Sequence, residues 1–156
     1  GFSVGSAPIV SFHYGADNRR ELKSVFRKSA VIIGVTAVVM VTASELLSHP
    51  LSSAFVGYDP DLLEMTVHGF RLFALNYLFC GVNIYASAFF TALCNGLISA
   101  LISFARTQLL RGGMVLLLPL FWGLDGIWWA VVAAEGLAVL VSLAFLISQR
   151  KRYHYA

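Results

Sequence analysis

The fold class this sequence predicts is an all-α bundle of membrane-spanning helices. Three observations predict it. Hydrophobic residues make up 58% of the 156 residues and charged residues only 12%. The mean hydropathy is +0.78. The apolar residues also gather into nearly uncharged runs long enough to cross a bilayer. A water-facing domain of this length carries about 25% charged residues, because its whole outer surface must be solvated. Halving that share leaves too little polar surface to coat a globule, whereas a lipid-facing surface needs none.

A spanning helix takes about 20 mostly apolar residues, and five segments are assigned on that basis, 1–14, 29–48, 66–93, 98–120 and 127–147. The first reads as the inner part of a helix, without an initiator Met or the basic leader of a secretory signal. The chain is therefore expected to be a piece of a longer one. Segment 29–48 contains one charge, Glu45. From Leu72 to Ala105 run 34 uncharged residues, about 51 Å of helix and too long for one crossing. Asn95-Gly96 is the turn that divides them, and Gly123-Leu124-Asp125-Gly126 divides the last two segments.

The connections sort by charge. Residues 15–28 sum to +3 through Arg19, Arg20, Lys23, Arg27 and Lys28 against Asp17 and Glu21. Residues 49–64 sum to −3, and the tail carries Arg150, Lys151 and Arg152. Basic connections stay in the cytoplasm, which puts 15–28 and the tail inside and the acidic connection outside. Asn18 with Glu21 forms a capping-box pattern, and Leu22, Val25 and Phe26 follow at helical spacing. This basic stretch is either a short helix on the interface or an extension of the next span.

Catalytic signatures are missing: there is no G-x-S-x-G, P-loop, H-E-x-x-H or Cys/His ligand set. His13, His49, His68 and His154 fall near span ends. Cys80 and Cys94, on one predicted helix, would sit about 21 Å apart. Neither an enzyme nor a cofactor or metal is expected, and the positive-inside rule accounts for the basic loop without nucleic acid.

Polar residues within a bilayer are costly. On the predicted helix 66–93, Asn76, Cys80, Asn83, Ser87 and Thr91 share an arc of about 80°, either the wall of an aqueous cavity or a helix-packing face. Arg71 and Arg106 lie near span ends and are expected to reach the interface. Pro8 bends its helix, as a hinge or a static kink, and Gly1 with Gly5 makes a GxxxG-like pair. Pro119 reads as a terminator. Trp122, Trp128 and Trp129 bracket the outer turn as an aromatic belt. Arg111 and Glu135 stand on consecutive antiparallel helices at depths only about 5 Å apart. They are expected to pair directly, or else each to face a cavity or an absent helix. Eleven strongly apolar residues between Ile98 and Leu120 favour insertion by about 3–7 kcal/mol, while two arginines there oppose it by about 5 or more if central.

The stretch GFSVGSAPIVSFHYGADNRRELKSVFRKS resembles the G-x-x-x-P-x-x-S-x-x-x-G-A signature of the multidrug and toxic compound extrusion (MATE) transporters. Gly5, Pro8, Ser11, Gly15 and Ala16 carry it, with small shifts in spacing. FFTALCNGLISALISFART and LLLPLFWGLDGIWWA, followed by Glu135, resemble the closing helices of the same family. The resemblance covers the whole chain and implies helices eight to twelve of twelve, most of the second of two six-helix lobes. It further implies export of cationic or amphiphilic drugs across the cell membrane, by antiport with protons or sodium ions. Sodium-coupled members carry a carboxylate in the tenth helix, whereas no Asp or Glu lies between Glu64 and Asp125 here. The transport-pathway candidates are Asn76, Asn83, Ser87, Arg111 and Glu135, with Gly5, Pro8 and Gly15 as the hinge or motif residues. Glu135 would titrate during the cycle while Arg111 holds its charge, or the pair would be static. The expected partners are small drugs, lipid and the rest of the chain. The alternatives are a lipid-linked oligosaccharide flippase, favoured by a cavity rich in Arg and Lys, and a non-transporting scaffold, favoured if the buried polar residues are packed and dry.

Overall fold

The computed structural model describes residues 1–155, which form helices joined by short turns. Helix α1, Phe2–Gly15, is continuous through Pro8 and, at about 21 Å, is too short to cross a bilayer alone. Its Ser11 hydroxyl donates to the Ala92 carbonyl at 3.0 Å, so a residue of the opening motif fastens α1 to the end of a later helix. Nothing lies within 4 Å of a Cβ built on Gly1 or Gly5, so this pair packs no partner among the described residues.

The chain turns through Asp17 at φ 49° and enters α2, Arg19–Val56. Asn18 Oδ1 accepts the Glu21 N–H at 3.2 Å. Only half of the capping box forms, because the Asn18 N–H is already given to the His13 carbonyl at 2.9 Å. The basic stretch is not a separate interfacial helix but the first turns of α2. No Gly or Pro stands between Arg19 and Lys28 to interrupt it, and 38 residues make about 57 Å of helix.

Asp59 caps α3, Pro60–Ala74, accepting from the N–H groups of Asp61 and Leu62 at 3.1 and 3.2 Å. Helix α4, Tyr77–Ala92, follows. The single helix expected over 66–93 is thus two, which begin earlier and meet at a 41° bend. At the bend the N–H groups of Leu75 and Asn76 donate three residues back, to Leu72 and Phe73, a tightened turn that changes the helix direction. Cys94 at φ 59° and the Asn95 cap on Ile98 N–H make the predicted turn. Helix α5, Gly96–Phe104, continues into a π-helical segment, Ala105–Arg111.

Helix α6, Gly112–Tyr153, is interrupted at Gly123, whose φ of 58° and ψ of −132° are not helical and suit a residue without Cβ. The arms on either side fold back on one another: a Cβ on Gly126 would lie 2.5 Å from the Leu118 carbonyl oxygen. The second arm runs beyond the expected end at 147. At its C-terminus His154, at φ 54°, reverses the chain and returns Tyr155 to the core. The Tyr155 hydroxyl donates to the Leu146 carbonyl at 2.6 Å, and burial pushes its phenol well above the ordinary range.

Helix α4 is the centre of the bundle, packed against α1, α2, α5 and α6. Its Phe89 meets Phe26 and Tyr155 with ring centroids 5.1 and 4.9 Å apart, and Val10, Leu22, Leu93 and Ile102 close the cluster. By length and composition α2, the bent pair α3–α4 and the stretch 96–153 are able to cross a membrane. The break at Gly123 divides the last into two arms, each long enough to cross by itself.

At the other end α3 meets the second arm of α6, where Gly69 faces the Trp128 ring so closely that an added Cβ would lie 2.5 Å from Cε2. Gly69→Ala is expected to lower stability by about 1–3 kcal/mol through overpacking. Trp128→Leu in the same chain should recover most of that loss. Thermal midpoints in detergent measure both, and an unchanged midpoint for Gly69→Ala would refute the contact.

Candidate functional site

A buried ion must find its bonds inside the protein, because no water is present to supply them. Glu135 faces that requirement most sharply: it is fully buried on the second arm of α6. Arg111 and Glu135 each stand twelve residues from Gly123, about 18 Å along their arms and close to the middle of a 30 Å hydrocarbon core.

Three side chains saturate the carboxylate. Arg106 Nε donates to Oε1 at 2.7 Å and to Oε2 at 2.9 Å. Arg111 Nη2 donates to Oε1 at 2.9 Å. Asn83 Nδ2, from α4, donates to Oε2 at 2.8 Å and to the Glu135 backbone carbonyl at 3.1 Å. The Ser142 hydroxyl donates to Asn83 Oδ1 at 2.9 Å, which fixes the amide with its NH₂ toward the carboxylate. Two guanidiniums face one carboxylate. The Arg106 side chain is 21% exposed and that of Arg111 40%, so the network is sealed at Glu135 and open toward Arg111.

The expected contact between Arg111 and Glu135 is present. The expectation for Arg106, a side chain reaching the interface, is corrected. Residues five apart on an α-helix point about 140° away from each other, so Arg106 and Arg111 should not share a target. The π-helical segment ends on Arg111 and contains both. Its i→i+5 bonding widens the turn and brings residues five apart toward one side. Ser142 is the member of the network that the sequence reading lacks, and its place seven residues, two turns, after Glu135 on the same face is the signal that points to it.

The polar stripe meets protein along much of its length. Ser87 Oγ is 2.9 Å from both Ser99 Oγ and Ser103 Oγ, and Thr91 Oγ1 is 2.7 Å from Ser99 Oγ. These contacts bind α4 to α5. Asn76 stands apart from Glu135, buried at the bend, with Oδ1 unpartnered among the described residues. Cys80 and Cys94 are free thiols. Cys80 opens onto an apolar cleft between α1, α2 and α4 that Phe2, Ile33, Met40 and Tyr77 also line. At the far end, Arg71 Nε donates to Ser48 Oγ at 3.1 Å and lies 3.6 Å from Glu45, and His68 Nε2 is 3.2 Å from Asp125 Oδ1. Among the described residues, no three His, Cys, Asp or Glu side chains converge as metal ligands.

Fold and site define a multi-pass helical membrane protein with a charged network buried between its helices. The MatE family model matches residues 1–115, and the chain belongs to the MATE family. It is 23% identical to the multidrug export protein MepA of Staphylococcus aureus strain MSSA476 over 152 residues, 97% of this chain and 33% of that protein. Over the same shares it is 22% identical to MepA of S. aureus strain NCTC 8325 / PS 47 and 21% identical to MepA of Staphylococcus haemolyticus strain JCSC1435. The chain thus spans about a third of the length of the curated relatives it matches. No solved structure matches significantly.

Glu135→Leu is expected to destabilise the protein by about 3–5 kcal/mol, because the mostly buried Arg106 guanidinium and the buried Asn83 amide lose the acceptor that satisfies them. Arg106→Met should cost clearly less, since Arg111 and Asn83 continue to bond the carboxylate. Thermal unfolding followed by size-exclusion chromatography orders the two variants. No loss in either variant would show that the network does not hold the helices, and equal losses would show that Arg111 and Asn83 do not stand in for Arg106.

Proposed function

We propose that this chain forms most of the second lobe of a multidrug exporter, which moves amphiphilic and cationic compounds out of the cell by antiport with protons or sodium ions. The observation that carries this reading is the collinear match of 97% of the chain to multidrug export proteins. The structure adds two features that suit such a task. An apolar cleft beside Cys80 offers surface to an amphiphile, and the network around Glu135 joins several helices through charged bonds of unequal number. Arg106 grips both carboxylate oxygens, whereas Arg111 makes one bond and is the partner released and retaken as the helices shift. A tenth-helix sodium site has no carboxylate to use on α4, so proton coupling is the simpler version.

Cells expressing the complete natural protein are expected to accumulate less ethidium, a lipophilic cation, than cells without it. Dissipating the proton gradient, or withdrawing sodium if that is the coupling ion, should remove the difference. Unchanged ethidium accumulation, with movement of a lipid-linked sugar in reconstituted vesicles, would replace this reading with flipping.

The topology proposed is that residues 15–28 and the tail lie in the cytoplasm and the 57–61 turn outside, on the opposed charges of the two regions. Lys23→Cys and Tyr58→Cys, each with Cys80 and Cys94 replaced by Ser, separate the sides. An impermeant maleimide applied to intact cells is expected to label position 58 and spare 23. The reverse pattern would invert the topology.

A further inference from the structure

The basic start of α2 carries more structure than its side of the membrane requires. The ion pairs of the described residues use Arg19, Arg71, Arg106, Arg111 and His68. Arg20, Lys23, Arg27 and Lys28 are left exposed and without an acidic partner among the described residues. They line one open cleft together with Val31 and Ile32. On a helix, positions 20, 24, 27, 31, 35 and 38 fall within about 80° of one another. Arg20, Ser24 and Arg27 therefore stand in line with Val31, Val35 and Val38, which are 60%, 59% and 59% exposed, and Lys23 and Lys28 flank the line. Because α2 is continuous from Arg19, the change from cationic to apolar happens on one rigid surface. From Arg27 to Val38 is about 16 Å, close to the depth of one leaflet's hydrocarbon.

We infer that this face is a binding site for an anionic phospholipid, its phosphate held among Arg20, Lys23, Arg27 and Lys28 and its acyl chains laid along Val31, Val35 and Val38. Charge complementarity selects the headgroup, since four cations without counter-ions attract phosphate and gain nothing from a zwitterionic lipid's ammonium. The apolar row selects lipid over a free anion. The site depends on the chain crossing the membrane, not on its transport activity or on which side the basic end faces.

The test uses the complete natural protein in nanodiscs of equal parts phosphatidylglycerol and phosphatidylcholine, with the lipid retained after release counted by native mass spectrometry. Wild-type protein is expected to keep phosphatidylglycerol in preference. Each basic residue at an anionic surface is worth about a fivefold change in binding. The variant Arg20→Gln/Lys23→Gln/Arg27→Gln/Lys28→Gln should therefore lose at least tenfold of the preference, whereas Arg150→Gln/Lys151→Gln/Arg152→Gln keeps it. If the quadruple variant does not insert, salt on the wild-type protein decides: half-molar sodium chloride should strip the preference by screening the cations. Soluble glycerol phosphate, which has no acyl chains, should not displace the lipid. A preference unchanged by the quadruple substitution or by salt would overturn the inference, and so would displacement by glycerol phosphate.

Discussion

A carboxylate sealed among the helices of a membrane protein has no solvent to fall back on, and Glu135, fully buried, imposes that condition on the helices around it. Its two oxygens take four hydrogen bonds from Arg106, Arg111 and Asn83. Those donors come from α4 and from the π-helical segment, while Ser142 on α6 turns the Asn83 amide the right way. The bonds fix the depth of the two arms around Gly123 relative to each other, and they fix the rotation of α4. The local winding of the chain answers to the same demand. A regular helix would aim Arg106 away from Arg111, and the wider π turn lets both serve one acceptor.

Lipid tails are as apolar as leucine, so helices in a bilayer gain little by hiding apolar faces from their surroundings. What joins them has to be shape, aromatic packing and polar contact. The bundle uses these in separate layers. At the middle lies the network around Glu135. Beside it Ser87, Thr91, Ser99 and Ser103 join α4 to α5 through their hydroxyls. Toward the end where the chain terminates, Phe26, Phe89 and Tyr155 close the core, and Tyr153 takes a bond from Asn95 at 2.8 Å. At the opposite end Gly69 admits Trp128, and His68 meets Asp125.

The readable parts of the fold were those that depend on the bilayer or on local turn chemistry. Apolar run length gave the helical membrane class, Asn95-Gly96 and Gly123 gave turns, and the positions of Arg111 and Glu135 about Gly123 gave their common depth. The unreadable parts depend on contacts between helices. The bend before α4 has no Pro or Gly to announce it, and 34 uncharged residues read smoothly across it. Arg106 stands near the end of its span, and only the π-helical turn, which no residue pattern announces, turns it onto the acceptor that Arg111 uses. The fold-back of Tyr155 depends on a left-handed His154, a conformation that a histidine adopts only in particular settings. The relation of the polar stripe to an aqueous cavity depends on surfaces beyond these helices.

The same network bears on how the chain enters the membrane. The segment from Ile98 to Leu120 gains about 3–7 kcal/mol from its strongly apolar residues and loses up to about 5–7 to its two arginines, of which Arg111 is the deeper, so its own sequence leaves insertion near balance. The anion that relieves both arginines is on the other side of Gly123, and Glu135 in turn is costly to insert without them. Each arm supplies what the other lacks. The two arms are therefore expected to enter as a hairpin, with the tight reversal at Gly123 keeping the opposite charges at matching depth as they leave water. A network whose first task is to bring a marginal hairpin into the bilayer is also the place where a small change in charge acts on several helices together.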